Sequence, residues 1–297
     1  MYKIKPEDYN TVSNKRDKFI LESLKLITNE KSSYDLIVDL GFGDGRVTRL
    51  LSQNVPHKQL VAIDVVPEML TYALANNTDD PTIEYVLQDM TVSWLELSPR
   101  IRQLESKVDL LFTSFMLHYI RDKYRLMAII GRLLTSGGLF YANTVITKDL
   151  NNKKLMNSTV DEQQQQLLCP SIDKQMTVWK QCLVDNGFQI KEFKLITDNI
   201  VMNRKEIIDF MPIVVEDYLH NSGGGGGGLM ASSDHHLLWN IVFDNHFSPL
   251  DSESAATAAA DESVANPNAW KQFLADNTVS ELSFSYHSLQ VMAYNKQ

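Results

Sequence analysis

Three glycines at alternate positions, Gly41, Gly43 and Gly45, follow a short apolar run that contains the acid Asp39. Glycines let a ligand approach the backbone closely, and they adopt φ values that other residues avoid. A dinucleotide fingerprint needs its third glycine one place further along, where this chain has Arg46. The spacing therefore disfavours a nicotinamide dinucleotide. It is typical either of a cradle for another ligand or of an ordinary tight turn between a strand and a helix.

Two more acids, Asp64 and Asp89, stand at the ends of later apolar runs. An acid at the carboxyl end of a buried strand can accept hydrogen bonds from ribose hydroxyls or from an adenine amino group. Met69 and Met90 lie close by, and the polarizable thioether of Met69 suits packing against a flat adenine. Taken singly, these residues are explained as well by core packing or by a helix N-cap. Three acids at successive strand ends after a glycine turn favour a nucleoside site.

The fourth apolar run, residues 108–115, brings Ser114 and Phe115 to the same edge, and His118 follows shortly after. We expect the acceptor of the reaction to lie here. The reference pKa of histidine, about 6.5, suits a general base for a hydroxyl or amine acceptor. The alternative is that His118 is a partly buried ring that orients the loop.

The elements that must position these residues alternate between strand and helix patterns. Apolar runs of strand length occur at 36–40, 59–66, 83–87 and 108–115, and residues 122–134 repeat apolar side chains at helical spacing. Such alternation predicts an α/β fold, a doubly wound and mostly parallel sheet with helices on both faces. A glycine stop at Gly137 is expected to end the helix before a fifth strand.

The second half continues with a predicted helix ended by Gly187, an alternating strand from Phe188, and a final alternating strand at 281–294. We predict one domain over 1–297, with residues 201–278 as an inserted helical and flexible lid. Its apolar segments are expected either to form a pocket for a lipophilic acceptor or simply to cover the sheet. The glycine tract 223–228 and the stretch 252–265 are typical of flexible surface insertions.

Composition restricts the partners. The chain has 37 acidic against 28 basic residues, a formal charge of -9, and no basic run, which disfavours nucleic acid. No apolar window is long enough for a membrane span, so a cytoplasmic protein is expected. With only Cys169 and Cys182, neither a disulfide framework nor a cysteine zinc site is available, and we predict no metal. The oligomeric state is not predicted.

The glycine turn behind an acid-bearing strand resembles the first motif of class I S-adenosylmethionine (SAM) methyltransferases, with Asp39 in the place of the strand-end acid. The chain further resembles, over almost its full length, the juvenile hormone acid methyltransferases of arthropods. This closer resemblance rests on residues 9–17, the glycine turn, residues 114–122 and the final strand. It implies a seven-stranded Rossmann-like sheet, SAM as cofactor, and methyl transfer to the carboxylate of a small lipophilic acid.

The residues expected to contact the cofactor share a place in the glycine turn or close to the end of a predicted strand. They are Asp39, Gly41, Phe42, Gly43, Asp64, Val65, Met69, Asp89, Met90, Ser114 and Phe115.

The resemblance also implies three catalytic positions. The family holds the acceptor carboxylate with a glutamine and a tryptophan, and this chain has Asn14 and Tyr119 in those places, both still able to donate a hydrogen bond. His118 is the third. A carboxylate is ionised at neutral pH, so it needs little help from a base. The family usually has a cysteine where this chain has Phe42. Two other functions stay open: a methyltransferase for a different small acid or hydroxyl compound, and a non-catalytic binding protein.

Overall fold

The computed structural model describes Pro6, Tyr9 and residues 13–77, 79–146, 171–211, 247–248, 269–276, 278 and 280–296. The glycine tract, the stretch 252–265, Cys169 and most of the expected lid lie outside the described residues.

Five strands form the parallel part of the sheet, in the spatial order β3-β2-β1-β4-β5. They are β1 (Tyr34–Leu40), β2 (His57–Asp64), β3 (Ile83–Leu87), β4 (Val108–Ser114) and β5 (Leu134–Ile146).

Three later strands complete the sheet: β6 (Phe188–Asn203), β7 (Phe247–Ser248) and β8 (Glu281–Asn295). β8 lies beside β5 and β6 lies beside β8, while the two-residue β7 pairs with β8 in antiparallel orientation. The main path therefore has seven strands, and the predicted doubly wound, mostly parallel α/β sheet is confirmed.

The helices follow the expected alternation with the strands. They are α1 (Asp17–Glu30), α2 (Arg46–Asn54), α3 (Pro67–Asn76), α4 (Pro99–Arg102), α5 (Lys123–Leu133), α6 (Ile172–Asp185) and α7 (Ala269–Ala275), with short 3₁₀ turns at Asn14–Arg16, Trp94–Glu96 and Leu117–Tyr119. Residues 204–211 are also helical. Among these described helices, none is long and apolar enough to cross a membrane.

The local sequence explains where several helices begin. Pro67 occupies the first turn of α3, where its missing N–H costs nothing. The Asp122 side chain accepts a hydrogen bond from the Arg125 amide at 2.9 Å and so caps α5. At the end of α6, Gly187 has a φ of +80°, as expected for a helix stop.

The prediction that Gly137 ends the helix before the fifth strand is wrong. α5 ends at Leu133, and the chain passes directly into β5, which contains Gly137 with a φ of +76°. The physical reason is that Leu134 is already extended, with φ of -69° and ψ of 144°, so no left-handed residue is needed to leave the helix.

Parallel pairing brings the strand ends that carry the candidate site residues to one edge. β1 is central, and Ile37 and Val38 are fully buried. Asp64 pairs in register with Leu87, and Ser114 pairs with Asn143. Because the carboxyl ends of parallel strands meet at the same edge, the glycine turn and the ends of β2, β3 and β4 share that edge.

The described chain divides into two compact units. One contains residues 4–145, 176–196 and 288–297, and so holds β1 to β4, nearly all of β5, and the edge with the strand ends. The other contains residues 1–3, 146–175 and 197–287. In this second unit an aromatic cluster forms around Phe284, whose ring centroid lies 5.2 Å from that of Phe210 and 5.1 Å from that of Phe247.

The last residue of β8, Asn295, forms hydrogen bonds with the junction between α5 and β5. The Asn295 side chain is 2% exposed, and its Nδ2 donates to the carbonyl oxygens of Gly131 at 2.9 Å, Leu134 at 3.2 Å and Thr135 at 3.3 Å. A buried amide that serves several carbonyls satisfies groups that would otherwise be costly to bury.

Asn295→Ala should lower the free energy of unfolding by about 1–3 kcal/mol, because it leaves the buried carbonyls of Gly131 and Leu134 without their donor. Urea unfolding followed by circular dichroism measures the change. Asn54→Ala is the matched control, since its Nδ2 donates to the Leu50 carbonyl at 2.8 Å at an exposed site. The control should change stability by less than about 0.5 kcal/mol. Equal losses in the two variants would contradict the assignment.

Candidate functional site

The glycine turn, residues 41–45, is held against the end of β2. Gly41, Gly43 and Gly45 have φ values of +84°, +57° and +80°, in the left-handed region that favours glycine. The Gly41 amide donates to the Ile63 carbonyl at 2.7 Å, and the Gly43 amide donates to Oδ2 of Asp64 at 2.9 Å. These bonds join the turn and the strand-end acid into one structure.

The three glycines differ in how much space the protein leaves beside each of them. A Cβ on Gly41 would lie 2.4 Å from Cγ of Met116, and a Cβ on Gly45 would lie 2.8 Å from Nδ2 of Asn77, so both positions are closed by the protein itself. Among the described residues, a Cβ on Gly43 would meet only Tyr9 within 4 Å, with Cε1 at an ordinary 3.4 Å. Gly43 is therefore the position where a ligand can approach the backbone.

Asp64 retains the capacity to bind a ligand. Its Oδ1 accepts from the Val66 amide at 3.0 Å, in addition to the Gly43 bond on Oδ2. A carboxylate has about four acceptor positions, so some remain for hydroxyl donors. Burial raises the pKa of Asp64, and the N–H donors of Gly43 and Val66 oppose the rise. Val65, next in the chain, is 44% exposed.

Asp39 lies beneath the turn, not at its surface. It is 1% exposed, and the Thr48 hydroxyl on α2 donates to its Oδ2 at 2.6 Å. Burial raises its pKa to about 7; the Thr48 bond opposes this shift, and the nearby charge of Asp64 adds to it. Asp39 thus ties the end of β1 to α2.

Phe42 packs inside the protein. It is 2% exposed, and its ring meets Tyr85 edge to face at a centroid distance of 5.0 Å. The side chain therefore lies away from the open position at Gly43. Met69 and Met90 are also largely buried, and Asp89 closes a local turn by accepting from the Thr91 amide at 2.8 Å and the Thr91 hydroxyl at 2.7 Å.

The segment after β4 carries the candidate acceptor residues. Phe115 adopts a φ of +55°, unusual for a non-glycine residue, and its amide donates to the Asn143 carbonyl at 2.7 Å. Ser114 Oγ is buried and has no hydrogen-bond partner among the described residues. His118 is 5% exposed, and its ring lies 4.1 Å from that of Tyr119. Ser114, Phe115, His118 and Tyr119 are thus brought to the edge that carries the glycine turn.

The N-terminal segment forms a polar network on the glycine turn that the sequence did not predict. Ser13 Oγ donates to Oδ2 of the buried Asp44 at 3.4 Å, and the Arg46 guanidinium pairs with Asp17. Asn14 lies within this segment, on the turn before α1, and is exposed. The only signal in the sequence was the placing of charged residues beside the motif, at Asp44 and Arg46.

In the described part of the chain, no group of three or more His, Cys, Asp or Glu side chains is arranged to hold a metal ion. Cys182 lies buried on α6, and burial raises the pKa of its thiol to about 11.

The buried acid under the turn makes stability depend on pH. The folded pKa of Asp39, about 7, exceeds the ordinary 3.8, so its stabilising contribution is complete at low pH and is lost as pH rises through about 7. Asp39→Asn keeps an acceptor for Thr48 but cannot ionise. The free energy of unfolding of the variant, relative to wild type, should therefore increase between about pH 4 and pH 8. Denaturant titrations across this range measure it, and a constant difference would refute the assignment.

Comparisons with known proteins agree with this geometry. A family profile described as a methyltransferase domain matches residues 38–142. The malonyl-acyl-carrier-protein O-methyltransferase of Hahella chejuensis is 30% identical over 129 residues, which cover 43% of each chain. The trans-aconitate 2-methyltransferase of Pseudomonas aeruginosa is 28% identical over 156 residues, 52% of each chain. The chain thus spans about half the length of the curated relatives it matches.

Two solved structures share the fold. A Bacillus halodurans protein described as a methyltransferase superposes with a TM-score of 0.52 at 13% identity, covering 93% of this chain and 99% of that one. The YcgJ protein of Bacillus subtilis gives 0.50 at 12% identity, with the same coverage. At these identities the likeness shows the fold alone. Together, the matched profile and the shared fold show that residues 38–142 are similar to methyltransferase domains.

Proposed function

We propose that this chain transfers the methyl group of SAM to the carboxylate of a small lipophilic acid, of the kind that juvenile hormone acid and farnesoic acid represent. When bound, SAM supplies an electrophilic methyl group. The acid's carboxylate oxygen forms the new bond to carbon as the bond to sulfur breaks, which gives a methyl ester and S-adenosylhomocysteine.

The observation that carries the proposal is the 2.9 Å hydrogen bond from the Gly43 amide to Asp64. It places the open backbone of the turn beside a carboxylate with free acceptor positions. A nucleoside that carries an amino-acid chain fits both features, since its ribose hydroxyls can donate to the acid while its chain passes over the glycine. The exposed Val65 supplies apolar surface next to them.

The charge of a carboxylate and the names of two relatives support a carboxylate as the acceptor. The two relatives are named for action on malonyl-acyl-carrier protein and on trans-aconitate, both of which carry carboxylates. A carboxylate arrives ionised, so catalysis consists of holding its oxygen about 3–3.5 Å from the methyl carbon and excluding water. Tyr119 and Asn14 can each donate a hydrogen bond to it. His118 is buried beside Tyr119, and with a carboxylate acceptor this favours a role for His118 in orienting the loop rather than as a base.

His118 also supports a second candidate, a hydroxyl acceptor. Such a group needs a base, and the ring lies in the acceptor segment, 4.1 Å from the Tyr119 ring. The two candidates differ in what His118→Ala does. With a carboxylate acceptor the rate should fall only modestly, whereas a hydroxyl acceptor should lose most of its rate.

The test of the proposed function has two steps on one preparation. Isothermal titration with SAM and S-adenosylhomocysteine first measures cofactor binding. A methyl-transfer screen then compares juvenile hormone acid, farnesoic acid, fatty acids, trans-aconitate and alcohols of matched length. Micromolar cofactor binding with turnover of lipophilic acids is the expected result. Turnover of alcohols alone would favour the second candidate, and no cofactor binding would refute both.

Asp64→Ala should weaken S-adenosylhomocysteine binding about tenfold or more, because ribose hydroxyls lose their acceptor. Asp35→Ala is the matched control, since Asp35 is an exposed strand acid at the opposite end of β1, paired with Lys58 at 2.8 Å. Gly43→Ala should weaken binding similarly and should also lower the free energy of unfolding by about 1–2 kcal/mol, because Gly43 has a φ of +57°. Gly41→Ala is a poor probe, because its Cβ would lie 2.4 Å from Met116 and would disturb the turn itself. Unchanged affinity in Asp64→Ala would remove this cofactor site.

Asn14→Gln should preserve or raise the rate on a carboxylate acceptor, because it keeps an amide donor, whereas Asn14→Leu should lower it. Both variants have side chains of similar size at an exposed position, so stability should change little. Initial rates at saturating SAM measure the difference. Equal rates in the two variants would take Asn14 out of acceptor binding.

A further inference from the structure

A buried hydrogen bond joins the first helix to the fifth strand. Asn143, near the carboxyl end of β5, donates from Nδ2 to Oγ of Ser23 on α1 at 3.1 Å. Ser23 Oγ in turn donates to the Phe19 carbonyl at 3.0 Å. Both Ser23 and Asn143 are buried, so water does not compete for the bond. A buried polar pair has geometric requirements that apolar packing lacks, and it therefore favours one placement of α1 against the sheet.

Stability alone does not explain this pair. Oδ1 of Asn143 is buried and has no hydrogen-bond partner among the described residues. A buried acceptor without a donor costs free energy, and apolar side chains of the same shape on α1 and β5 would avoid that cost. What the polar pair adds is a fixed geometry between the two elements.

Asn143 also holds the first residue after β4. Its carbonyl oxygen accepts from the Phe115 amide at 2.7 Å, next to the register pair of Ser114 and Asn143. Phe115 has a φ of +55°, a conformation that a non-glycine residue keeps only where its surroundings impose it. The residue that anchors α1 therefore also anchors the start of the segment that carries His118 and Tyr119.

The ring of Phe115 contacts the N-terminal elements as well. Its centroid lies 5.9 Å from that of Phe19 on α1 and 4.1 Å from the guanidinium carbon of Arg16. Arg16 belongs to the 3₁₀ turn that begins with Asn14. The turn with Asn14, α1 and the segment after β4 thus meet around Phe115, and the Ser23–Asn143 bond ties α1 to the sheet.

We propose that Ser23 and Asn143 are positioning residues for methyl transfer, which fix the place of Asn14 relative to Tyr119. This rests on the proposed function, in which Asn14 and Tyr119 hold the acceptor carboxylate from two different elements. A shift of about 1 Å between those elements would misplace the carboxylate oxygen against the methyl carbon, and misplacement of that size can cost about 100-fold in rate. Neither positioning residue has to touch the acceptor.

The test measures acceptor and cofactor separately. Ser23→Ala removes the acceptor of the Asn143 amide with little change in volume. At saturating SAM, kcat/KM for the acceptor acid should fall about threefold to tenfold, whereas the affinity for S-adenosylhomocysteine, from isothermal titration, should stay within about twofold. Ser23→Thr keeps the hydroxyl and should recover most of the loss. Asn143→Ala should also lower kcat/KM, and the double variant should lose less than the sum, because both changes remove one bond.

Hydrogen exchange gives a second reading that requires no acceptor. In Ser23→Ala the amides of residues 115–120, which include that of Phe115, should exchange several-fold faster than in wild type, because their anchor is weaker. Thr28→Ala is the matched control, since Thr28 lies on α1 and its hydroxyl donates to the Lys25 carbonyl at 3.0 Å at an exposed site. The control should change neither kcat/KM nor exchange.

Three results would overturn the inference: an unchanged kcat/KM in Ser23→Ala, equal losses of acid turnover and cofactor affinity, and faster exchange spread evenly over the chain. The last two would show a general loss of structure. A wild type that turns over no acid would refute the proposed function, while exchange at residues 115–120 would still decide whether the link to α1 exists.

Discussion

The site depends on one hydrogen bond, from the Gly43 amide to the Asp64 carboxylate. β1 and β2 pair in parallel, so their ends meet, but parallel pairing alone leaves the loop after β1 free to adopt many conformations. The bond selects one of them. It fixes a left-handed residue over an acid, and it leaves part of the acid available to a ligand. The turn, the start of α2 and the packing of α3 against Gly45 follow from that choice.

Beneath the turn, burial and charge act against each other. Asp39 contributes a hydrogen bond to Thr48 from a site that disfavours its ionisation, while Asp64, nearer the surface, receives two backbone donors that favour the charged form. The two acids are close enough for the charge of Asp64 to raise the pKa of Asp39. Below about pH 7 the buried Asp39 is mostly neutral, which reduces its repulsion with the charge of Asp64.

The sequence predicted the parts of this arrangement that depend on local pattern. Apolar runs with an acid at the end located β1, β2 and β3, and glycine spacing located the turn, since these signals arise from neighbours along the chain. Contacts between distant residues were not predictable. Ser13 and Asp44 are 31 residues apart, and Arg46 and Asp17 are 29 apart, so nothing in the pattern of either segment shows that they meet. The Phe42 ring was ambiguous for the same reason, because its position is decided by Tyr85 on β3.

The close approach of Gly41 to Met116 couples the glycine turn to the segment that follows β4. A side chain at position 41 would occupy the space that the Met116 side chain fills, so the space available to either residue is set by the other. Met116 belongs to the segment between Phe115 and the 3₁₀ turn at Leu117–Tyr119, next to the candidate acceptor residues. A change of side chain at position 116 would therefore also change the support of the glycine turn. Substitutions in the segment after β4 that avoid contact with residue 41 would leave that support in place.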